Sequence, residues 1–349
     1  MDADRAPQWD ELIYFMRLFR LRAASLIVTV GLLALCMAAS LMFGSNNIPL
    51  AEVLATLQGE GAHESHVVVI DQRLPRTVVV MVVGASLGVA GALMQGLTRN
   101  PLADPGILGI NAGSALAVVA AVAFFGQFGI ASYVWWAIAG AVVASVAVYA
   151  LGGAGRRGVT PARLTLAGVA LSMAISALVQ AILLSNQNAF NEFRYWASGS
   201  VEGRGWSVLA TVGLFMVVGL VLAFLATPAL NALALGDDTG KALGVRVGTT
   251  RVMVVVAVTL LCGAATAAVG PIMFVGLAVP YVARMLVGTD QRLVIPACVV
   301  VAPIFLLSAD IAARLVVMPM EIQTGIMSAL IGGPVFIAIV RRKNLETFA

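Results

Sequence analysis

The side chains in this sequence that could do chemistry stand in three places. Asp310 and Arg314 interrupt an apolar run four residues apart. On a helix that spacing puts both on one face, where carboxylate and guanidinium can pair and offset the cost of burial. The pair reads either as a proton-coupling site or as a structural ion pair. Arg73 and Arg76 flank Leu74-Pro75 where an apolar run begins. Two guanidiniums at such a boundary suit lipid headgroups or, through bidentate bonds, the carboxylates of an acidic partner. The third place is a polar island at 233–251, reading LALGDDTGKALGVRVGTTR, between two long apolar runs. It comes close to a phosphate-binding loop. However, only three residues separate Gly236 from Gly240 where four are needed, and Ala242 stands where Ser or Thr would hold magnesium. Neither HExxH nor GxSxG is present, so no catalytic residue and no resident metal or cofactor is expected. His63 and His66 with Glu64 make too small a ligand set for a metal. Cys36, Cys262 and Cys298 all fall in apolar runs, as small buried hydrophobes do.

What must position these residues is a body embedded in a membrane. The chain has 349 residues, is 60% hydrophobic and 11% charged, and has a mean hydropathy of +0.99, which excludes an ordinary soluble domain. Apolar stretches lie at 23–43, 77–96, 107–126, 132–151, 164–184, 206–226, 252–269, 274–287, 293–309 and 325–340. Most approach the roughly 20 residues that a helix needs to cross ~30 Å of hydrocarbon. They predict an all-α polytopic membrane protein with about ten transmembrane helices. The short 274–287 run follows Gly270-Pro271 and predicts a bent hairpin. A surface helix at 49–57 and a polar patch at 59–66 are expected in the long segment 44–75. The prolines of Arg99-Asn100-Pro101-Leu102-Ala103-Asp104-Pro105 force a rigid turn.

Arg17, Arg20 and Arg22 ahead of the first run hold the N-terminus in the cytoplasm. Alternation from there leaves only Arg73, Arg76, Arg194, Arg204 and Arg314 outside, among 21 basic residues. Arg156, Arg157, Arg163, Arg284 and Arg292 fall inside with the rest. This bias predicts both termini in the cytoplasm. The predicted organisation is a cytoplasmic segment at 1–22, one transmembrane domain at 23–340 with a cytoplasmic loop at about 227–250, and a basic cytoplasmic tail at 341–349. The net charge of +4 forms no dense stripe, so nucleic acid is excluded as a partner. The island carries a predicted helical piece at 237–243 followed by Gly244. A polar loop this long in so apolar a chain is expected to be gripped by an energy-supplying partner.

Several stretches carry a further signal. They are Arg73-Leu74-Pro75-Arg76; Gly91 with Gln95 and the 99–105 turn; Trp196-Ala197-Ser198-Gly199-Ser200; Leu235-Gly236-Asp237 with Ala242-Leu243-Gly244; Phe274-Val275-Gly276-Leu277 with Pro280; Asp310 with Arg314; and Gly325 with Gly332-Gly333-Pro334-Val335-Phe336. In this order, from about Ile48 onward, they resemble the FecCD-like permeases of type II ABC importers, which carry ferric siderophores, haem and cobalamin. The resemblance implies the type II ABC importer permease fold and a subunit that forms the path for a ferric siderophore or related iron chelate, haem or cobalamin. The partners it implies are a second permease subunit, two cytoplasmic ATPase subunits that use ATP and magnesium, and an external substrate-binding protein. The implied location is a bacterial cytoplasmic (inner) membrane. By matching position, Leu235, Gly236, Asp237, Asp238, Ala242, Leu243, Gly244 and Arg251 become ATPase-coupling residues. Arg73, Arg76 and Arg314 become receivers of the binding protein's acidic groups, and Gln95, Asn100, Leu102 and Thr160 pathway or gate residues. The sequence departs from the family at Tyr281, at Gln323 and at Pro161-Ala162, where histidine, proline and small hydroxyl residues are common. The competing expectation is a proton- or ion-coupled secondary transporter that uses Asp310.

Overall fold

The computed structural model describes residues 25–44, 47–126, 130–153 and 160–341. The predicted segment 1–22, Arg156, Arg157 and the tail beyond Arg341 lie outside the described residues. Among those described, every regular element is helical. We number them α1 (Ser25–Met42), α2 (Leu50–Leu57), α3 (His63–Thr98), α4 (Ile110–Phe125), α5 (Ile130–Gly153), α6 (Pro161–Ser185) and α7 (Gln187–Ala197). Then follow α8 (Trp206–Ala234), α9 (Asp237–Ala242), α10 (Val247–Val269), α11 (Val275–Val287), α12 (Gln291–Leu315) and α13 (Thr324–Val340). α1, α3, α5, α6, α8, α10 and α12 are long and apolar enough to cross a membrane, while α4, α11 and α13 are shorter apolar helices.

In hydrocarbon, neighbouring helices gain little from hydrophobicity, so residue size decides which of them come together. α3 is the centre: its apolar window is 83% buried, against 11% for α1 and 22% for α6. Small residues on α3 explain this. A Cβ added at Gly88 would stand 2.5 Å from the Ala302 methyl, and one at Gly91 would overlap the Gly276 backbone. α12 and α11 therefore lie directly against α3, and α8 and α10 complete the cage.

Three elements differ from expectation. α3 begins at His63 rather than near 77, so the polar patch with both histidines is its first turn and not a linker. The section Val67–Arg73 is a π-helix, and Pro75 stands at the start of the α-helical stretch Leu74–Thr98, where a missing N–H is tolerated. α8 runs past Pro228 to Ala234 and absorbs the first residues of the island. The polar connection after α6 holds the amphipathic α7, capped by Asn186 Oδ1 accepting from Ala189 N at 2.9 Å.

The helices alternate in direction and gather the polar residues at two ends. At one, the arginine end, stand the last turn of α1, the first turns of α3, the 198–205 connection, the end of α12 and Glu321. At the other, the island end, stand Arg99, α9 and the connection between α11 and α12, where Asn231 donates to Asp290 at 2.6 Å.

Candidate functional site

Asp310 is fully buried at the arginine end. Its carboxylate accepts from Arg76 Nη2 at 2.9 Å and Nε at 3.2 Å, and from Thr324 Oγ1 at 3.0 Å. The predicted pair with Arg314 is present at 2.9 Å. Arg314 also donates to the Ser40 carbonyl at 2.9 Å, the Phe43 carbonyl at 3.1 Å and Ser40 Oγ at 2.8 Å. Arg73 donates to the carbonyls of Leu41 and Met42, both at 2.8 Å. Those carbonyls belong to the last turn of α1, where helix geometry leaves acceptors open and favours a cation. A carboxylate with this many donors and no exposed surface is a brace joining α3, α12 and the start of α13 and, through Arg314, α1.

The three predicted docking arginines are thus brought together, but their guanidiniums are engaged within the chain. Arg73 and Arg314 are only 7% and 2% exposed. Arg76 lies nearer the surface and pairs outward with Glu321 at 2.7 Å, a partner that sequence reading missed. Together they line a polar concavity of about 500 Å³ that also receives Glu202 and Arg204.

At the island end, Asp237 opens α9, where the helix dipole favours a carboxylate. It pairs with Arg251 at the start of α10 at 2.6 Å and with Arg99 at the end of α3. Burial opposes its ionised form, but Arg251 and Arg99 outweigh that and hold its carboxyl below the usual carboxylate range. Arg99 is the missed member of this clamp; it closes α3 in a left-handed conformation, φ 52°. Gly244 ends the short helix at φ +82° with open space around it, so its backbone conformation and not crowding selects glycine. Gly240 is buried against Leu233, which seats α9 on α8. Leu235 and Leu243 flank α9 at 67% and 62% exposure, beside the exposed Ala242 and the Asp238–Lys241 pair at 3.0 Å. Two bare leucines on either side of a short helix form a surface that a partner's groove would bury.

The predicted gate residues are spread out. Asn100 Oδ1 accepts from Leu102 N at 2.9 Å and shapes the turn that leaves Leu102 45% exposed. Thr160 caps α6, its Oγ1 accepting from Arg163 N at 3.4 Å ahead of Pro161. A second concavity of about 530 Å³ opens on α6, lined by Ile107, Gly168, Val169, Ser172, Met173 and Ser176 with Asp104. Gln95 is not on it. It is buried between α3 and α11, donates to the Leu277 carbonyl at 3.2 Å and accepts from Arg284 Nη2 at 2.7 Å. Arg284, expected among the cytoplasmic loop cations, is instead 5% exposed in the last turn of α11. The Gln95 amide provides a polar partner for Nη2, while Nη1 is buried with no partner among the described residues.

The sequence matches the FecCD transport family over residues 32–342. It is 44% identical to the ferric enterobactin transport system permease protein FepD of Escherichia coli (strain K12), covering 90% of this chain and 93% of that one. It is 39% identical to the iron(3+)-hydroxamate import system permease protein FhuB of Bacillus subtilis (strain 168), over 98% of this chain and 88% of that one. Among solved structures, it is similar to a chain described as a metal-chelate type ABC transporter in an inward-facing conformation. That match has a TM-score of 0.80 and 27% identity and covers 92% of this chain and 99% of the other. A match that runs through nearly all the described helices, and includes both the brace and the clamp, leads to one conclusion: this multi-pass membrane permease subunit belongs to the FecCD transport family.

Proposed function

We propose that this chain forms half of the translocation path of an ATP-driven importer for ferric chelates, ferric siderophores foremost, in a bacterial cytoplasmic membrane. The observation that carries the reading is the Asp237 clamp. It ties α9, with its two bare leucines, to the end of the central α3 and to the start of α10. A cytoplasmic ATPase subunit that seats α9 in a groove would move three helices at once, so ATP-driven closure of two such subunits would reach the path directly. The island end faces the cytoplasm in this reading, and the domain at 23–340 spans the membrane about ten times with both termini inside. A second permease copy or related chain closes the path against the concavity on α6, beside the gate turns at Asn100, Leu102 and Thr160. The binding protein docks at the arginine end, with acidic groups directed to Arg76 and its neighbours. Iron chelates are carried over from the names of the relatives FepD and FhuB. This chain itself holds no cofactor; ATP and magnesium act in the partner.

The test is reconstitution of the whole complex in liposomes with the binding protein and a ferric siderophore, in the absence of any ion gradient. Uptake on adding ATP inside is expected, and Asp237→Ala should leave ATP hydrolysis while reducing uptake per ATP. Uptake that follows a proton gradient and ignores ATP would replace this reading with a secondary transporter.

A further inference from the structure

The concavity at the arginine end is lined by Arg73, Arg76, Arg204 and Arg314 against Asp71, Glu202 and Glu321. Three of these arginines have acceptors within the chain: carbonyls of α1 for Arg73 and Arg314, and carboxylates for Arg76 and Arg314. Arg204 differs. Its backbone N–H donates to the Val201 carbonyl at 3.1 Å, and Gly203 at φ +67° turns the connection into the concavity. Its guanidinium, however, has no hydrogen bond or ion pair with any described residue, and its Nε is buried without a partner. Burial pushes the Arg204 pKa down with no neighbouring carboxylate to oppose it. A half-buried cation left unmatched costs desolvation without return. Its planar fork of donors is complementary to a carboxylate.

The concavity holds about 500 Å³ and its deeper arginines are committed to the fold. A slender acidic side chain reaching in from outside meets Arg204 as the one unmatched cation among these four. We propose that Arg204 anchors the binding protein by receiving one of its carboxylate side chains in this concavity. The proposal rests on the reading above that the binding protein docks at this end, and it shifts the main attractive contact from the Asp310 brace to the 198–205 connection.

The full transporter in lipid nanodiscs, titrated with its binding protein at low and physiological salt, tests both. Docking at this end should slow modification of a Gln72→Cys variant by a membrane-impermeant maleimide, because Gln72 is exposed on the same wall. Arg204→Gln should weaken docking roughly ten- to a hundredfold, the scale of a lost charged hydrogen bond, and flatten its salt dependence. Arg204→Lys should recover part of the affinity. If Gln72→Cys is protected but Arg204→Gln docks like wild type, docking at this end stands and the anchor is overturned. If Gln72→Cys is not protected, the docking reading fails and takes the anchor with it. Normal docking with a raised KM for ferric siderophore would assign the concavity to the chelate, and overturn the proposal. Should Arg204→Gln fail to fold, Arg204→Lys decides: it keeps the charge but loses the planar fork, so docking weaker than wild type supports the anchor, and wild-type affinity refutes it.

Discussion

Asp310→Asn keeps the outline of the side chain and removes its charge. Arg76 then retains Glu321 at 2.7 Å, but Arg314, 2% exposed, retains only neutral acceptors: the carbonyls of Ser40 and Phe43, the backbone carbonyl of residue 310 and the Ser40 hydroxyl. Removing one partner of a buried ion pair costs about 3–5 kcal/mol, mostly because the other charge is left uncompensated. The loss here should fall in that range, since Arg314 cannot reach water without leaving the α1 carbonyls. Unfolding in detergent, followed by helix signal against denaturant, measures it. The double variant Asp310→Asn, Arg314→Met removes both charges and should regain about 2 kcal/mol of the loss, because a buried pair replaced by apolar groups is often close to neutral. A single variant within about 1 kcal/mol of wild type would refute the brace. If that stable variant also lost transport, the carboxylate would be a proton carrier.

Three further outcomes are expected. Folding holds the Asp237 carboxyl below its ordinary range, so its contribution is full above that range and is lost as pH falls through the depressed value. The stability gap between wild type and Asp237→Asn should therefore be flat from neutral to about pH 5 and close below about pH 4; a gap that changes between about pH 6 and 8 would contradict the clamp. Gln95→Leu removes the acceptor of the buried Arg284 guanidinium and should cost about 2–3 kcal/mol, read by the same unfolding assay, with Gln95→Glu restoring most of it. Gly91→Ala puts a methyl into the Gly276 backbone, which should force α3 and α11 apart at about 3 kcal/mol or more and reduce the yield of monodisperse protein in size-exclusion chromatography.

The apolar stretches were legible because composition alone marks them, and each predicted stretch coincides with a helix. Short-range geometry was legible too: the Asp310–Arg314 pair follows from its spacing, and the 237–243 piece appears as α9 with Gly244 behind it. What stayed hidden depends on contacts between distant parts of the chain. Arg76 finds Asp310 at a separation of 234 residues and Glu321 at 245, and no local pattern announces either. Arg284 looks like a loop cation until α3 is packed against α11 and Gln95 comes within reach. The extension of α3 through Pro75 was missed for a different reason. The segment 44–75 was read as lying ahead of the span, but a π-helical section at Val67–Arg73 joins it to the α-helix that begins at Leu74-Pro75.

α3 has a mechanical consequence. It is one continuous helix of 36 residues, about 54 Å long at 1.5 Å per residue, with Arg99 just past one tip and Arg73 and Arg76 roughly 15–20 Å in from the other. A lever of this length pivoting at its middle carries each tip roughly 2 Å for a tilt of about 5°, in opposite directions. The Asp310 brace grips one arm and the Asp237 clamp the other. Events at the two membrane faces are then displacements of one rigid body, and no chain of side-chain rearrangements is needed between them.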